Sequence, residues 1–199
     1  MKRAFDFFFS FLGILILLPI FLVISMAVLL GSGMPVFYLQ ERVGKEGTLF
    51  NLIKFRTMKP GSNHRGLLTI GDKDFRITRE GYVLRKLKLD ELPQLFNVLA
   101  GDMSLVGPRP EVSKYVEQYT EEQRAVLEVK PGVTDIASII YINESELLAK
   151  SKNPENTYVK TIMPEKIRLN LEYLEKRNVF TDLAIILKTF TSIIKKSRT

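Results

Sequence analysis

Between Phe7 and Gln40 the chain carries no charged side chain, and from Phe7 to Leu30 only Ser10, Gly13, Pro19 and Ser25 interrupt the apolar residues. As one helix this 24-residue run would extend roughly 36 Å, enough for a hydrocarbon core of ~30 Å. It is long for the apolar region of a secretory leader, and no small-x-small cleavage signal clearly follows it. Two arrangements fit. One is a single crossing kinked at Pro19. The other is a re-entrant hairpin, because Pro19 divides the run into halves of roughly 18–21 Å, too short to cross alone. Basic residues flank both ends, Lys2 and Arg3 before and Arg42, Lys45, Lys54, Arg56 and Lys59 after. Such residues favour the cytosolic side. The residues alone leave both arrangements open.

The rest of the composition narrows the chemistry. The 199 residues include no cysteine, no tryptophan and one histidine, His64, in the polar loop Gly61–Gly66. That excludes a disulfide framework, a thiolate nucleophile and a cysteine-based zinc site. Residues 1–90 hold 14 Lys and Arg against 7 Asp and Glu, whereas residues 91–199 hold 15 against 15. The formal excess of +7 therefore lies wholly beside the apolar run. This layout points to anionic lipid head groups or phosphorylated substrates, and no nucleic-acid-binding motif accompanies it.

Local signals predict a helix-dominated α+β fold after the apolar run. Val36–Gln40 and Thr48–Phe55 read as strands of a small hairpin around the Gly44–Gly47 turn. A helix is expected over Phe75–Lys88, and another from Pro93 to Gly101 with Asp90 as a cap. Gly107-Pro108-Arg109-Pro110 predicts a rigid turn. Pro164 opens a helix with Ile167, Leu171 and Leu174 on one stripe, and Asp182 is expected to cap another carrying Leu183, Ile186, Leu187, Phe190, Ile193 and Ile194. That last stripe suits core packing, or an amphipathic helix lying on a membrane with Lys188, Lys195 and Lys196 on its polar side.

The chemistry concentrates in Arg85-Lys86-Leu87-Lys88-Leu89-Asp90-Glu91-Leu92-Pro93. An Asp-Glu pair at a helix start is commonplace as a cap and first-turn anion. Three preceding cations add a second reading, in which they keep Asp90 ionised. An ionised aspartate can attack phosphorus, dividing a phosphoryl transfer into two displacements, while an adjacent glutamate can hold a magnesium ion on a diphosphate. Arg109, between two prolines, is a fork for phosphate oxygens. Lys54 and Arg56 supply further cations or an ordinary basic patch.

These stretches resemble the bacterial sugar transferases, the small monotopic phosphoglycosyl transferases. The matching segments are the proline-broken apolar run, Lys54-Phe55-Arg56-Thr57-Met58, Leu89–Leu99, Gly101–Pro110, Lys130-Pro131-Gly132-Val133-Thr134 and Pro164–Tyr173. The resemblance implies transfer of a phosphosugar from a UDP-sugar to polyprenyl (undecaprenyl) phosphate with release of UMP, at the cytoplasmic face of the bacterial inner membrane. It implies Asp90 as the nucleophile, Glu91 as the Mg2+ ligand, and Arg85 and Arg109, with Lys54 and Arg56, as substrate- and phosphate-binding residues. It also favours the re-entrant helix-break-helix at Pro19, giving a membrane hairpin over residues 1–33, a cytosolic catalytic domain over 34–199 and amphipathic interfacial helices. Anionic lipids are expected partners, and a homodimer is left open. The chain departs from many members at Leu18, where they have Ser. It departs again at Asp135 and Ala137-Ser138, where many have Gly and then Ala-Gln or Trp-Gln. Without the multi-helix extension of larger members, it resembles the minimal catalytic unit. A membrane-anchored, non-catalytic scaffold is the competing expectation, with Asp90 and Glu91 serving only as a helix cap.

Overall fold

The apolar run from Phe7 to Leu30 folds as a single element. In a computed structural model that describes residues 2–62, 68–71 and 74–197 (backbone alone at 197), helix α1 covers Lys2–Ser32 with Pro19 inside it. His64 lies outside the described residues. The gap expected at Pro19 is absent as a break in secondary structure, and α1 is continuous through that residue. Its buried positions sit towards the two ends, at Asp6 and Ser10 and again at Phe21, Ile24 and Val28, whereas none of residues 11–20 is buried.

Both ends of α1 are tied to the same body. At the start, the Lys2 ammonium donates to Val106 O (3.1 Å) and Asp182 (2.5 Å), and the Arg3 guanidinium donates to Val98 O and Leu99 O (2.5 and 2.9 Å). At the end, Arg56 donates to the carbonyls of Ser32, Gly33 and Met34 at 2.7, 2.6 and 2.7 Å. The last carbonyls of a helix have no intrahelical donors, so a buried guanidinium is a natural cap. Arg3 serves the helix Gln94–Ala100 in the same way. Phe21 packs its ring against Phe55 and Phe96, at 5.6 and 5.5 Å between centroids.

The expected hairpin is present as β1 (Phe37–Val43) and β2 (Leu49–Phe55), antiparallel, with Phe37 opposite Phe55 and Val43 opposite Leu49. Gly47 sits at φ 78° in its turn, a left-handed value that favours glycine. Helix α2 (Arg79–Lys86) starts four residues later than expected, because Thr78 caps it by accepting from Gly81 N. Helix α3 (Gln94–Ala100) ends at Gly101 as expected, but its N-cap position is Pro93, and Asp90 lies instead in a short 3-10 turn, Leu89–Glu91. Asn97 of α3 docks on β2, donating to Asn51 O (2.8 Å) and accepting from Ile53 N (3.0 Å).

Strands β3 (Ser104–Val106) and β4 (Gly132–Thr134) run parallel, and the Gly107–Pro110 segment that follows β3 is irregular, as expected. A Cβ on Gly132 would lie 2.1 Å from Gly107 N, so the two backbones touch only because neither residue has a side chain there. Short helices α4 (Ser113–Val116), α5 (Ile136–Ile140), α6 (Glu144–Ala149) and α7 (Pro154–Thr157) follow. A π-turn, Tyr158–Ile162, leads into α8 (Met163–Lys176). Ile167 of α8 is in the main core with Tyr115, Leu148, Tyr158 and Met163.

Helix α9 (Val179–Ser197) closes the chain. Its cap is Asn178, which exchanges hydrogen bonds with Thr181, and not Asp182 as expected. Asp182 is buried and accepts from Lys2 and from the Tyr173 hydroxyl. Ile185 faces the core, but Phe180, Leu183, Leu187, Phe190 and Ile194 form an exposed stripe, with Phe180 at 85% and Phe190 at 62% exposure. Most of the apolar stripe of α9 is therefore not core.

Removing the Arg56 cap should cost stability through orphaned carbonyls. Arg56→Ala is expected to lower unfolding free energy by about 2–4 kcal/mol, with Arg56→Lys recovering part of it. Denaturant unfolding in detergent would measure this, and an Arg56→Ala loss under about 0.5 kcal/mol would contradict the capping role.

Candidate active site

A chain reversal at Lys88 creates the site. Lys88 takes a left-handed conformation (φ 57°), so α2 ends and the Leu89–Glu91 turn points the two carboxylates into a cavity. The cavity measures about 810 Å³ and is walled by Lys54, Arg85, Lys86, Lys88, Asp90, Glu91 and Arg109, among others. Of the residues expected at a phosphate site, Lys54, Arg85, Asp90, Glu91 and Arg109 are thus brought together. Arg56 is not; its guanidinium is spent on the end of α1. Strand alternation places Lys54 and Arg56 on one side, but β2 ends at Phe55, and the Arg56 side chain is directed to the carbonyls at the end of α1. Pro19 also lies away from the cavity, inside α1.

Glu91 is the electrostatic centre. Arg109 grips it bidentately, with Nη2 at 2.5 Å from Oε1 and Nη1 at 3.2 Å from Oε2. The ammonium groups of Lys54 and Lys88 stand 3.8 and 3.9 Å from the same Oε1. Burial raises the Glu91 pKa, but Arg109, Lys88 and Lys54 override it and hold the carboxyl well below the usual range. Asp90 behaves oppositely. Its burial and the neighbouring Glu91 charge raise its pKa, against Lys54, Lys88 and Arg85. The cations expected to keep Asp90 ionised are therefore opposed by its burial and by Glu91. Asp90 Oδ1 is buried with no hydrogen-bond partner among the described residues. An uncompensated acceptor of this kind is costly and is typical of a group kept for chemistry.

Lys54, buried in the wall, has its pKa lowered to about 7, first by burial and then by Arg109 and Arg42, with Glu91 and Asp90 opposing. Arg109 is raised above its ordinary value, chiefly by Glu91. Arg85 is steadied by donating to Thr69 Oγ1 at 2.8 Å.

The sequence reading missed what holds Arg109. Fully buried Asp135 accepts from Arg109 N (2.9 Å), from Ser138 N and from Asn170 Nδ2 (3.4 Å). One carboxylate thus ties the Gly107–Pro110 turn to the cap of α5 and to α8. Its position immediately after Pro-Gly-Val-Thr was visible, but its partners were not. Glu111 was missed too. It accepts from Arg42 (3.0 Å), from Val112 N (3.0 Å) and from the Tyr158 hydroxyl, bracing a second wall of the cavity.

Asp135→Ala should destabilise the protein by about 2–4 kcal/mol, since three donors lose a buried charged acceptor. Asp135→Asn, keeping one acceptor oxygen, should cost less than half as much. Unfolding curves of the two variants check this, and equal losses would contradict the hydrogen-bonding account.

Comparison with known proteins completes the description. Residues 1–196 match the family model described as bacterial sugar transferase. The chain is 35% identical over 196 residues to the UDP-N-acetylgalactosamine-undecaprenyl-phosphate N-acetylgalactosaminephosphotransferase of Aeromonas hydrophila, covering 97% of this chain and 43% of that protein. It is 35% identical over 202 residues to the UDP-glucose:undecaprenyl-phosphate glucose-1-phosphate transferase of Escherichia coli (strain K12), covering 99% of this chain and 41% of that one. A protein of the latter name from Caulobacter vibrioides is 32% identical over 196 residues, covering 97% of this chain and 69% of that protein. The chain thus spans less than half the length of the first two.

Proposed function

This chain belongs to the bacterial sugar transferases, and on that basis we propose that it transfers a phosphosugar from a UDP-sugar to polyprenyl phosphate through a covalent aspartyl intermediate. The observation that carries the proposal is the convergence of Asp90 and Glu91 with Lys54, Arg85, Lys88 and Arg109 on one cavity. A scaffold with a simple acidic cap would have no need of these cations, and Asp90 is not the cap.

In the proposed reaction an Asp90 oxygen attacks the phosphorus bearing the sugar, and the bond from that phosphorus to the UMP oxygen breaks. UMP departs with the electron pair. A phosphate oxygen of the polyprenyl acceptor then attacks the same phosphorus, and Asp90 leaves as the carboxylate. One phosphoanhydride replaces another, so the cavity need only position the reactants and balance charge. Arg109, Arg85 and Lys54 supply cationic donors to the diphosphate oxygens. Arg109 is prepositioned by Asp135, so little ordering remains when substrate binds.

Among the described residues no group of three or more acidic or histidine side chains could cage a metal. The oxygen donors present suit Mg2+ nonetheless, since that ion is commonly held by one or two carboxylates, waters and substrate phosphates. Glu91 would hold it, beside the unpartnered Asp90 oxygen. When bound it supplies charge neutralisation of the diphosphate and favours the Asp90 anion.

We place the protein at the cytoplasmic face of the bacterial inner membrane, with α1 re-entering the face it left. The support is anchoring. Lys2, Arg3 and Ser32 all bond to the polar body, while residues 11–20 expose Phe11, Leu12, Leu15, Ile16, Leu18 and Ile20. A crossing would carry one of these anchored ends, and the charged groups bonded to it, through the hydrocarbon. Pro19 lies in the exposed middle, where a bend is needed. The exposed stripe of α9 would rest on the same surface, among anionic lipids.

Asp90→Asn should abolish UMP release from UDP-sugars incubated with polyprenyl phosphate and Mg2+, falling by at least about 1,000-fold. Turnover equal to wild type would sink the nucleophile. Because the chain lacks cysteine, Ala4→Cys and Lys45→Cys offer single labelling sites. A membrane-impermeant maleimide should reach both from the cytoplasmic side, and periplasmic labelling of Ala4→Cys would refute the re-entrant helix.

A further inference from the structure

The cavity has two chemically different walls. Around Asp90 and Glu91 it is cationic. Elsewhere it is lined by Ser138 of α5, by Tyr141 and Asn143 after it, and by Glu144 and Glu146 of α6, a set of hydroxyl, amide and carboxylate groups suited to neutral, hydroxyl-rich ligands. Cations on this wall are already committed. Lys166 donates to Glu144 Oε2 at 2.7 Å, with the lysine side chain 14% and the glutamate 27% exposed. Lys196 donates to Ile142 O at 3.0 Å and lies 4.0 Å from Glu146, and Lys195 is engaged as well.

Two features fix Glu144 relative to the reacting centre. Asp135 joins the cap of α5 to the backbone of Arg109, and Glu144 N donates to Tyr141 O (2.9 Å) at the end of α5, which links the wall to the phosphate-side arginine. Glu144 is also close enough to Arg109 for its charge to be felt there. Among the described residues only Oε2 of Glu144 carries a hydrogen bond, so the carboxylate keeps capacity to accept from a ligand. We propose that Glu144, steadied by Lys166, accepts hydrogen bonds from the hydroxyls of the transferred sugar and restricts the donor to UDP-sugars whose sugar is uncharged. The inference rests on the reaction proposed above, in which the group on the attacked phosphorus is the sugar. That group is attached at the phosphorus that Asp90 attacks, within the cavity that Glu144 also lines. Sugar hydroxyls would donate to the free carboxylate capacity. A uronate would instead bring a carboxylate against Glu144 and Glu146, with Lys166 and Lys196 already paired.

The test compares UDP-glucose with UDP-glucuronate, and UDP-galactose and its N-acetyl derivative with UDP-galacturonate, by UMP release in wild type and Glu144→Gln. The best neutral donor should exceed its uronate partner by about 100-fold in kcat/KM. Glu144→Gln should lose about tenfold with that neutral donor, through the missing charge-assisted hydrogen bond, and narrow the neutral-to-uronate ratio about tenfold. Inhibition by UMP should stay within about twofold of wild type, since UMP lacks the sugar. A uronate used as well as its neutral partner would overturn the inference while leaving the transferase reading intact. So would a ratio unchanged by Glu144→Gln, or a weakened UMP inhibition with the ratio preserved, which would move Glu144 to the nucleoside. Release of UMP from none of these donors would overturn the transferase reading itself, and the inference with it.

Discussion

A helix of 31 residues must leave its last carbonyls somewhere, and Arg56 takes that of Ser32 together with those of Gly33 and Met34 just beyond it. That capping governs more than the end of α1. Lys54, Phe55 and Arg56 are consecutive, yet each serves a different part of the molecule. Lys54 reaches the cavity, Phe55 is buried against Phe21 in the core beneath α1, and Arg56 holds the end of α1. The end of β2 is therefore the joint at which the apolar helix, the core and the site meet. Glu80 strengthens it, because a Cβ on Gly31 would lie 2.8 Å from the Glu80 carboxyl carbon, and α2, which carries Glu80, also carries Arg85 into the cavity.

Within the cavity, adjacent carboxylates in one turn are driven apart. Both are buried, and the difference comes from contact geometry. Glu91 receives a bidentate guanidinium and two ammonium groups, whereas Asp90 has an oxygen with no partner among the described residues. An environment that separates the proton affinities of two neighbouring acids gives them different work. One becomes a fixed anion that organises cations. The other is left with an oxygen that no described residue satisfies.

What was legible in the sequence follows from what a residue dictates locally. Glycine and proline fix backbone geometry, so the hairpin turn, the end of α3 at Gly101 and the irregular Gly107–Pro110 segment could be anticipated. Asp90, Glu91, Lys54, Arg85 and Arg109 were visible as a charge pattern that the fold does gather. Arg56 was misplaced because its partners are carbonyls of a distant helix end, which no side-chain pattern reveals. Asp182 and Asn178 were equally good caps by residue type, and the choice was made by Lys2 and Tyr173 drawing Asp182 inward. The period of α9 told that it was two-faced but not which face had neighbours. The pairing of Glu144 with Lys166 joins residues on different helices, so it was outside the reach of spacing arguments.

The two anchors of α1 also differ in when they can form as the chain is synthesised. Ser32 meets its partner 24 residues later, at Arg56, whereas Lys2 waits for Asp182, 180 residues on. The exit end can thus be secured while most of the body is still unmade. The entry end gains its bonds to Val98, Leu99 and Val106 midway through the chain and its bond to Asp182 only when α9 emerges. Over that interval the exposed apolar middle of α1 is the part of the nascent chain most prone to self-association, and the entry end is fully tied down only by the last helix.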